Sequence, residues 1–189
     1  MSVILLGIGQ GALTWSPLQA AQAYATLARG GKVIAPHLVR GAGAGEVVRD
    51  LGIPREAIEA SMSGLRASVR ENYGTGHHLT LEGGARDVLF DIPGADVWGK
   101  TGTATAPLLG LDADGDGADD ARVRTDHAWF VGMAGEAGGS PRFAVAVVLD
   151  YGGSGGKVAG PVAAEAIRAL AAEGYLGERA RGVAGNPAE

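Results

Sequence analysis

The residues best suited to handle a peptide-like molecule are Lys100, Thr101, Gly102 and Thr103, within Val97-Trp98-Gly99-Lys100-Thr101-Gly102-Thr103-Ala104. A cation and two hydroxyls can hold a carboxylate, and a strand edge can offer N–H groups to an extended peptide. Val97 and Trp98 suit a strand. Alternation in extended chain puts Lys100 and Gly102 on one side and Thr101 and Thr103 on the other. Twist at glycine can turn Lys100 and both threonines toward one ligand. Gly102 has no Cβ, so another backbone or a substrate can lie close to it. A polar strand ending in a turn fits the same residues.

A second run is Asp112-Ala113-Asp114-Gly115-Asp116-Gly117-Ala118-Asp119-Asp120. Asp112, Asp114, Asp116 and Asp120 follow the D-x-D-x-D-G-x-x-D spacing of extracellular calcium loops, in which alternate carboxylates converge on one ion and Gly117 permits the sharp turn. The twelfth position is Val123, where an EF-hand needs a bidentate Glu, and no helical pattern flanks the loop. Calcium is therefore the candidate ion, and no other cofactor is expected. An acidic, solvated hairpin is the alternative. Ser154-Gly155-Gly156-Lys157 has S-x-x-K spacing but falls in a glycine-rich loop after an apolar strand, so Ser154 reads as a loop serine. His77 and His78 are adjacent with no third ligand at metal spacing, and His37 stands alone in an apolar run. These histidines read as loop or structural residues.

These residues must be positioned by regular elements. Ser16 is a cap, Pro17 suits the first helical position and Gln19 completes a capping box. Leu18, Ala21, Ala25 and Ala28 then form the apolar face, Tyr24 packs in the core, and Gly30-Gly31 ends the helix. A short extended piece follows from Lys32, kept to a sheet edge by Pro36, and residues 41–45 form a flexible glycine connector. Pro54 opens a second helix with Ile58, Met62, Leu65 and Val69 in one stripe. Arg55, Glu56, Glu59, Arg66 and Arg70 lie largely off that stripe, in solvent. Asn72-Tyr73-Gly74 stops this helix. The Ile92-Pro93-Gly94 turn leads into the strand at Val97. Residues 126–134 and 143–149 are two further strands that pair as an antiparallel hairpin. The second is apolar on both faces and is expected to be central, with helices covering it. A last helix begins near Gly160-Pro161, with Val162, Ala166 and Ala169 or Leu170 inward. Residues 173–189 are expected to fray.

The fold class is therefore α/β (α+β), a mostly antiparallel sheet flanked by helices. The strands starting near Val97, Asp126 and Phe143 are consecutive neighbours in one domain, residues 1–172. Composition agrees: 189 residues, 46% hydrophobic and 20% charged, make a folding chain with a core. Thirty-three glycines imply many loops, and a core that a neighbouring segment helps complete. A net charge of −5 without a Lys/Arg cluster argues against nucleic acid. With no cysteine there is neither a disulfide nor thiol catalysis. The apolar run at residues 2–6 is too short for a signal peptide or a membrane span.

Several strings, in order, carry a resemblance. They are Gly9-Gln10-Gly11, Ser16-Pro17-Leu18-Gln19, Ala23-Tyr24-Ala25-Thr26-Leu27-Ala28-Arg29-Gly30-Gly31, Trp98-Gly99-Lys100-Thr101-Gly102-Thr103-Ala104 and His127-Ala128-Trp129-Phe130-Val131-Gly132. Together they resemble the C-terminal half of the transpeptidase domain of a class B penicillin-binding protein, one of the penicillin-recognising serine enzymes. The resemblance covers residues 8–172, with a divergent middle. It implies the five-stranded sheet and helical subdomain of that family, here incomplete. It also implies D-alanyl-D-alanine transpeptidation, with β-lactams acylating the same serine. On this resemblance Lys100 stabilises developing charge, and Thr101 and Thr103 bind the terminal carboxylate. The N–H of Thr103 supplies half of the oxyanion hole. The family's S-x-x-K and S-x-N signatures belong upstream of Met1, and no Ser-x-Asn occurs in the chain. The expectation is a partial domain, inactive alone. Its partners are the missing N-terminal half and a peptidoglycan stem peptide or β-lactam. The intact protein is expected to be anchored and to work on the outer face of the cytoplasmic membrane. The alternatives are a non-catalytic, calcium-stabilised interaction module and one half of a split enzyme.

Overall fold

The computed structural model describes residues 14–39 and 45–176. The expected strand or loop at residues 2–8, the Gly9-Gln10-Gly11 string, most of the glycine connector and the tail from residue 177 lie outside these.

Helix α1 (Pro17–Ala28) starts as its sequence dictates. Ser16 Oγ accepts the Gln19 N–H, and the Gln19 side chain accepts the Ser16 N–H at 2.7 Å. Its buried positions are Ala20 and Thr26, whereas Leu18 is 62% exposed. The inner face is thus rotated from the expected Leu18 stripe, and alanine's small side chain lets the helix lie close to the sheet. Strand β1 (Lys32–Ile34) stops before Pro36 and pairs with β2 (Val47–Asp50). Gln22 Nε2 donates to the Ile34 carbonyl and ties α1 to this hairpin. Helix α2 (Arg55–Arg70) turns Ile58, Met62, Leu65 and Val69 inward, with Val69 fully buried. That is the stripe its spacing predicts. Strands β3 (His78–Thr80) and β4 (Arg86–Val88) form a second hairpin.

The main sheet is β5 (Ala95–Thr105), β8 (Asp126–Glu136) and β9 (Phe143–Leu149), antiparallel and in that order. The three are consecutive neighbours, as expected. A small hairpin, β6 (Leu109–Leu111) with β7 (Ala121–Val123), carries the acidic loop at its tip. The central strand is β8. Among the described residues β9 borders the sheet and is half-buried along its whole length, contrary to the expectation of a central strand. Both α1 and the last helix do lie against it, which accounts for apolar residues on both faces.

The chain then makes one π-helical turn (Gly155–Ala159) before α3 (Gly160–Ala172). Helix α3 buries Ala163, Ala164 and Ile167 against Phe130, Ala128, Ala134 and Val97. Val162 is 48% exposed, so the inner face is not the expected Val162–Ala166 one. Residues 173–176 do not fray. The Tyr175 N–H bonds to the Leu170 carbonyl, and Leu176 is only 4% exposed, closing the end of the core.

Candidate active site

Strand β5 forms one border of the described sheet, and Lys100 to Thr103 occupy its C-terminal half. Cross-strand pairing sets the faces: Thr101 stands opposite Phe130, and Thr103 opposite Ala128. Both threonines therefore point to the face that α3 and the π turn cover. Lys100 belongs to the other face, with Gly102. Its side chain is exposed, and Nζ donates to the Thr101 carbonyl at 2.8 Å. Thr101 Oγ1 lies 2.7 Å from Thr75 Oγ1. The Gly155 N–H donates to Thr103 Oγ1 at 3.4 Å. The expected turn of Lys100 and both threonines toward one ligand is therefore not seen: Lys100 stays on the opposite face of the strand, and both hydroxyls are held by neighbours on the covered side.

Glycine is needed here for close approach. A Cβ on Gly99 would sit 2.3 Å from the Phe130 ring, and one on Gly155 would sit 2.2 Å from the Gly102 carbonyl oxygen. Against Gly102 itself lies the Trp129 side chain, 3.1 Å from where a Cβ would fall, rather than an open track for substrate. Ser154 is the N-cap of the π turn, with no side-chain capping bond. It is a loop-to-helix junction on the covered side of the sheet, closer to Thr103 in space than the sequence suggests.

The opposite end of β5 holds a residue that sequence reasoning missed. Asp96 is 4% exposed. Its Oδ1 accepts from Arg66 at 2.9 Å and Arg70 at 2.7 Å, and its Oδ2 accepts the Gly138 N–H at 2.9 Å. Arg66 also lies over the Trp98 ring, 5.7 Å from its centroid. Arg66 and Arg70 are therefore not simply solvated. Their i, i+4 spacing was the available signal, because it puts both on one helix face. A cleft of about 550 Å³ opens here beside Arg66, Arg70, Phe90 and Asp96, away from Lys100 to Thr103.

His127 was legible only as part of a string. Its Nδ1 accepts the Tyr151 N–H at 3.2 Å and lies 3.1 Å from Asp150 Oδ1. Tyr151 has φ 54°, a left-handed conformation unusual for a bulky residue. His77 and His78 share a hydrogen bond between their Nδ1 atoms at 2.9 Å, so at least one ring must be neutral. Desolvation, then Arg86 and His77, holds the His78 imidazole below its ordinary pKa.

In the acidic hairpin, Asp112, Asp114 and Asp116 each bring one carboxylate oxygen within 4.8 Å of the others. Asp120, expected as the fourth ligand, is not in that group; its Oδ2 accepts the Ala113 N–H at 2.7 Å. Both Asp112 oxygens already accept N–H groups, from Gly117 and Gly115, which lowers its pKa in that order of effect. The hairpin is exposed throughout residues 111–120.

The family model of the penicillin-binding protein transpeptidase domain matches residues 2–168. This chain belongs to that family. It is 32% identical over 186 residues to the peptidoglycan D,D-transpeptidase MrdA of Haemophilus influenzae, covering 93% of this chain and 26% of the relative. It is 28% identical to the peptidoglycan D,D-transpeptidase PbpA of Mycolicibacterium smegmatis, over 88% of this chain and 31% of that one. Among solved structures, Pseudomonas aeruginosa PBP2 in complex with WCK 5153 superposes with a TM-score of 0.60 at 28% identity. That match covers 89% of this chain and 32% of the other. The transpeptidase domain of Burkholderia pseudomallei penicillin-binding protein 3 gives 0.53 at 26% identity, covering 88% of this chain and 45% of the other. The chain thus spans about a quarter to a third of the length of these curated relatives. The penicillin-binding transpeptidase family and the mixed, mostly antiparallel fold are those the sequence resembles.

Proposed function

We propose that these residues form the C-terminal part of a peptidoglycan D,D-transpeptidase domain whose β5 edge binds the D-alanyl-D-alanine end of a stem peptide, or a β-lactam. The observation that carries this is the placement of Lys100, Thr101 and Thr103 on a bordering strand inside the family-matched span. The serine hydroxyl attacks the penultimate carbonyl, the peptide C–N bond breaks, and the terminal residue leaves as an amine. The ester is then opened by the amine of a second stem peptide, which restores the serine. Lys100 supplies positive charge near the developing oxyanion, Thr101 and Thr103 hold the carboxylate, and the Thr103 N–H is one oxyanion donor. The attacking serine comes from outside these residues, in an S-x-x-K of the N-terminal half, and the intact protein works in the cell envelope. No helix among the described residues is long and apolar enough to cross a membrane.

The test is labelling by a fluorescent penicillin, read by intact mass. The 189-residue chain alone stays unlabelled, and a polypeptide joining it to its upstream coding sequence labels stoichiometrically. An adduct on the chain alone, mapped to Ser154, overturns the assignment of the nucleophile. An unlabelled longer protein overturns the enzymatic reading in favour of an interaction module. Labelling only when two separate polypeptides are mixed would make the protein a split enzyme.

We also propose, from the three converging carboxylates, that the β6–β7 hairpin takes calcium weakly at Asp112, Asp114 and Asp116. Millimolar calcium then raises Tm by mass action on the native state. The triple variant Asp112→Ala, Asp114→Ala, Asp116→Ala loses that rise. An unchanged Tm with no binding heat would leave a solvated hairpin.

A further inference from the structure

Thr75 lies in the short connection between α2 and β3, and its hydroxyl meets that of Thr101 at 2.7 Å. The connection has little freedom to move away. The Gly76 N–H bonds to the Ser68 carbonyl in the last turn of α2, and the Gly74 N–H bonds to the Glu71 carbonyl at 2.7 Å. A Cβ on Gly74 would fall 2.2 Å from the Ser68 oxygen, and one on Gly156 would fall 2.5 Å from the Thr75 oxygen. Backbone thus closes on Thr75 from α2 on one side and from the π turn on the other. Gly76 completes the contact: a Cβ there would fall 3.2 Å from Val69 and 3.6 Å from Thr101 Cγ2. The Thr75 backbone is thereby fixed, and its exposed side chain reaches Thr101 from there.

A threonine hydroxyl has one proton to give and two lone pairs to receive with. A carboxylate only receives. If Thr101 gives its proton to Thr75, it has none for a substrate carboxylate. If Thr75 gives its proton to Thr101, the Thr101 proton is directed outward, and the bond it makes is strengthened by the one it receives. We infer that Thr75 is a positioning residue: it donates to Thr101 Oγ1 and so turns the Thr101 proton toward the carboxylate of the bound peptide or β-lactam. The inference rests on the proposed role of Thr101 and adds a second residue, 26 positions upstream, to carboxylate recognition.

The experiment measures second-order β-lactam acylation in the intact polypeptide, with its upstream half. It uses Thr75→Val, Thr75→Ser, Thr101→Val and the Thr75→Val/Thr101→Val double variant. Each is assayed with a penicillin and with its methyl ester, which has no free carboxylate. Thr75→Val should slow acylation by the free acid roughly five- to tenfold, the worth of one neutral hydrogen bond. Thr75→Ser should stay within about twofold of wild type, since it keeps the hydroxyl. The double variant should be no slower than Thr101→Val, and Thr75→Val should leave the methyl ester rate unchanged. If Thr101→Val is slow and Thr75→Val is normal, this inference fails while the strand keeps its role. If Thr101→Val itself acylates normally, the reading of the strand fails first. Equal losses for acid and ester, or additive losses in the double variant, would make Thr75 a packing residue and overturn the proposal.

Discussion

Lys100 and Asp96 are four residues apart on one strand and pose opposite problems. Lys100 is exposed, and its ammonium rests on the carbonyl of the next residue. Such a bond is easily exchanged for another, so the side chain can swing to a substrate or to a second enzyme group. In the intact protein Lys100→Ala should slow β-lactam acylation by orders of magnitude while stability shifts by about 1 kcal/mol or less. Lys100→Arg should recover part of the rate, because charge is kept and only the donor geometry changes. Normal acylation with an earlier melting transition would make Lys100 structural. Asp96 is the reverse case. It is buried among two guanidinium groups and a backbone N–H. Its removal leaves those donors unanswered, at a cost of several kcal/mol for a fully buried pair. The arginine side chains are 44% and 56% exposed and recover water, which reduces the loss. Asp96→Ala should therefore cost about 2 kcal/mol in denaturant unfolding. The exposure of Lys100 was legible from its side-chain type and its place after Trp98-Gly99. Asp96 was not, because its partners stand 26 and 30 residues upstream and nothing local marks it.

At the level of elements, periodicity served best where side chains were large. The α2 stripe from Ile58 to Val69 is the one its spacing gives, since large apolar groups must all face one way. Helices α1 and α3 are rich in alanine, whose weak hydrophobic signal points in no firm direction, and both inner faces were misplaced in part, although Leu170 packs on the core as its spacing gives. Close backbone approach at Gly155 and the Thr75–Thr101 contact depend on tertiary packing and had no pattern to show. The acidic hairpin has a measurable signature of its own. Backbone N–H groups hold the Asp112 carboxyl below its ordinary value. A carboxylate whose folded pKa is depressed stabilises the native state above the unfolded value, about 3.9, and loses that contribution as pH falls through the folded value. The Tm gap between the wild type and Asp112→Ala should be full near neutral pH and narrow below about pH 4. A gap that does not change with pH would mean that the loop is held by something other than this charge.

For the whole molecule, order and sheet neighbours were readable because β8 and β9 are joined by a short turn and β5 returns to β8 through a hairpin, while the outer side of β9 was not. Strand β9 has apolar residues on both faces yet is half-buried throughout. The family resemblance implies a five-stranded sheet, and the described residues contribute three strands to the main one. If further strands of the intact protein pair beside β9, about half of its amides gain partners, because alternate N–H groups in an antiparallel strand face opposite neighbours. Hydrogen exchange should then slow at alternate β9 amides in the longer protein compared with this chain. An unchanged pattern in both, with every second β9 amide protected by β8 and the others exchanging freely, would place those strands elsewhere.

The Asp96 clamp has a consequence for counting. Strand β5 carries Gly99 and Gly102, and its partner carries Gly132 and Gly135. Stretches this poor in side chains define their alignment weakly, and an error of one residue turns every side chain over. A one-residue slip of β5 would put Lys100 under α3 and both threonines on the other face. The two guanidinium groups of α2 and the turn at Gly138 grip the strand at its second residue, where a slip would pull a carboxylate from three donors at once. Asp96 therefore acts as the index mark from which Lys100, Thr101 and Thr103 are numbered onto their faces. Loss of this mark should appear as a second set of β5 resonances before it appears as unfolding.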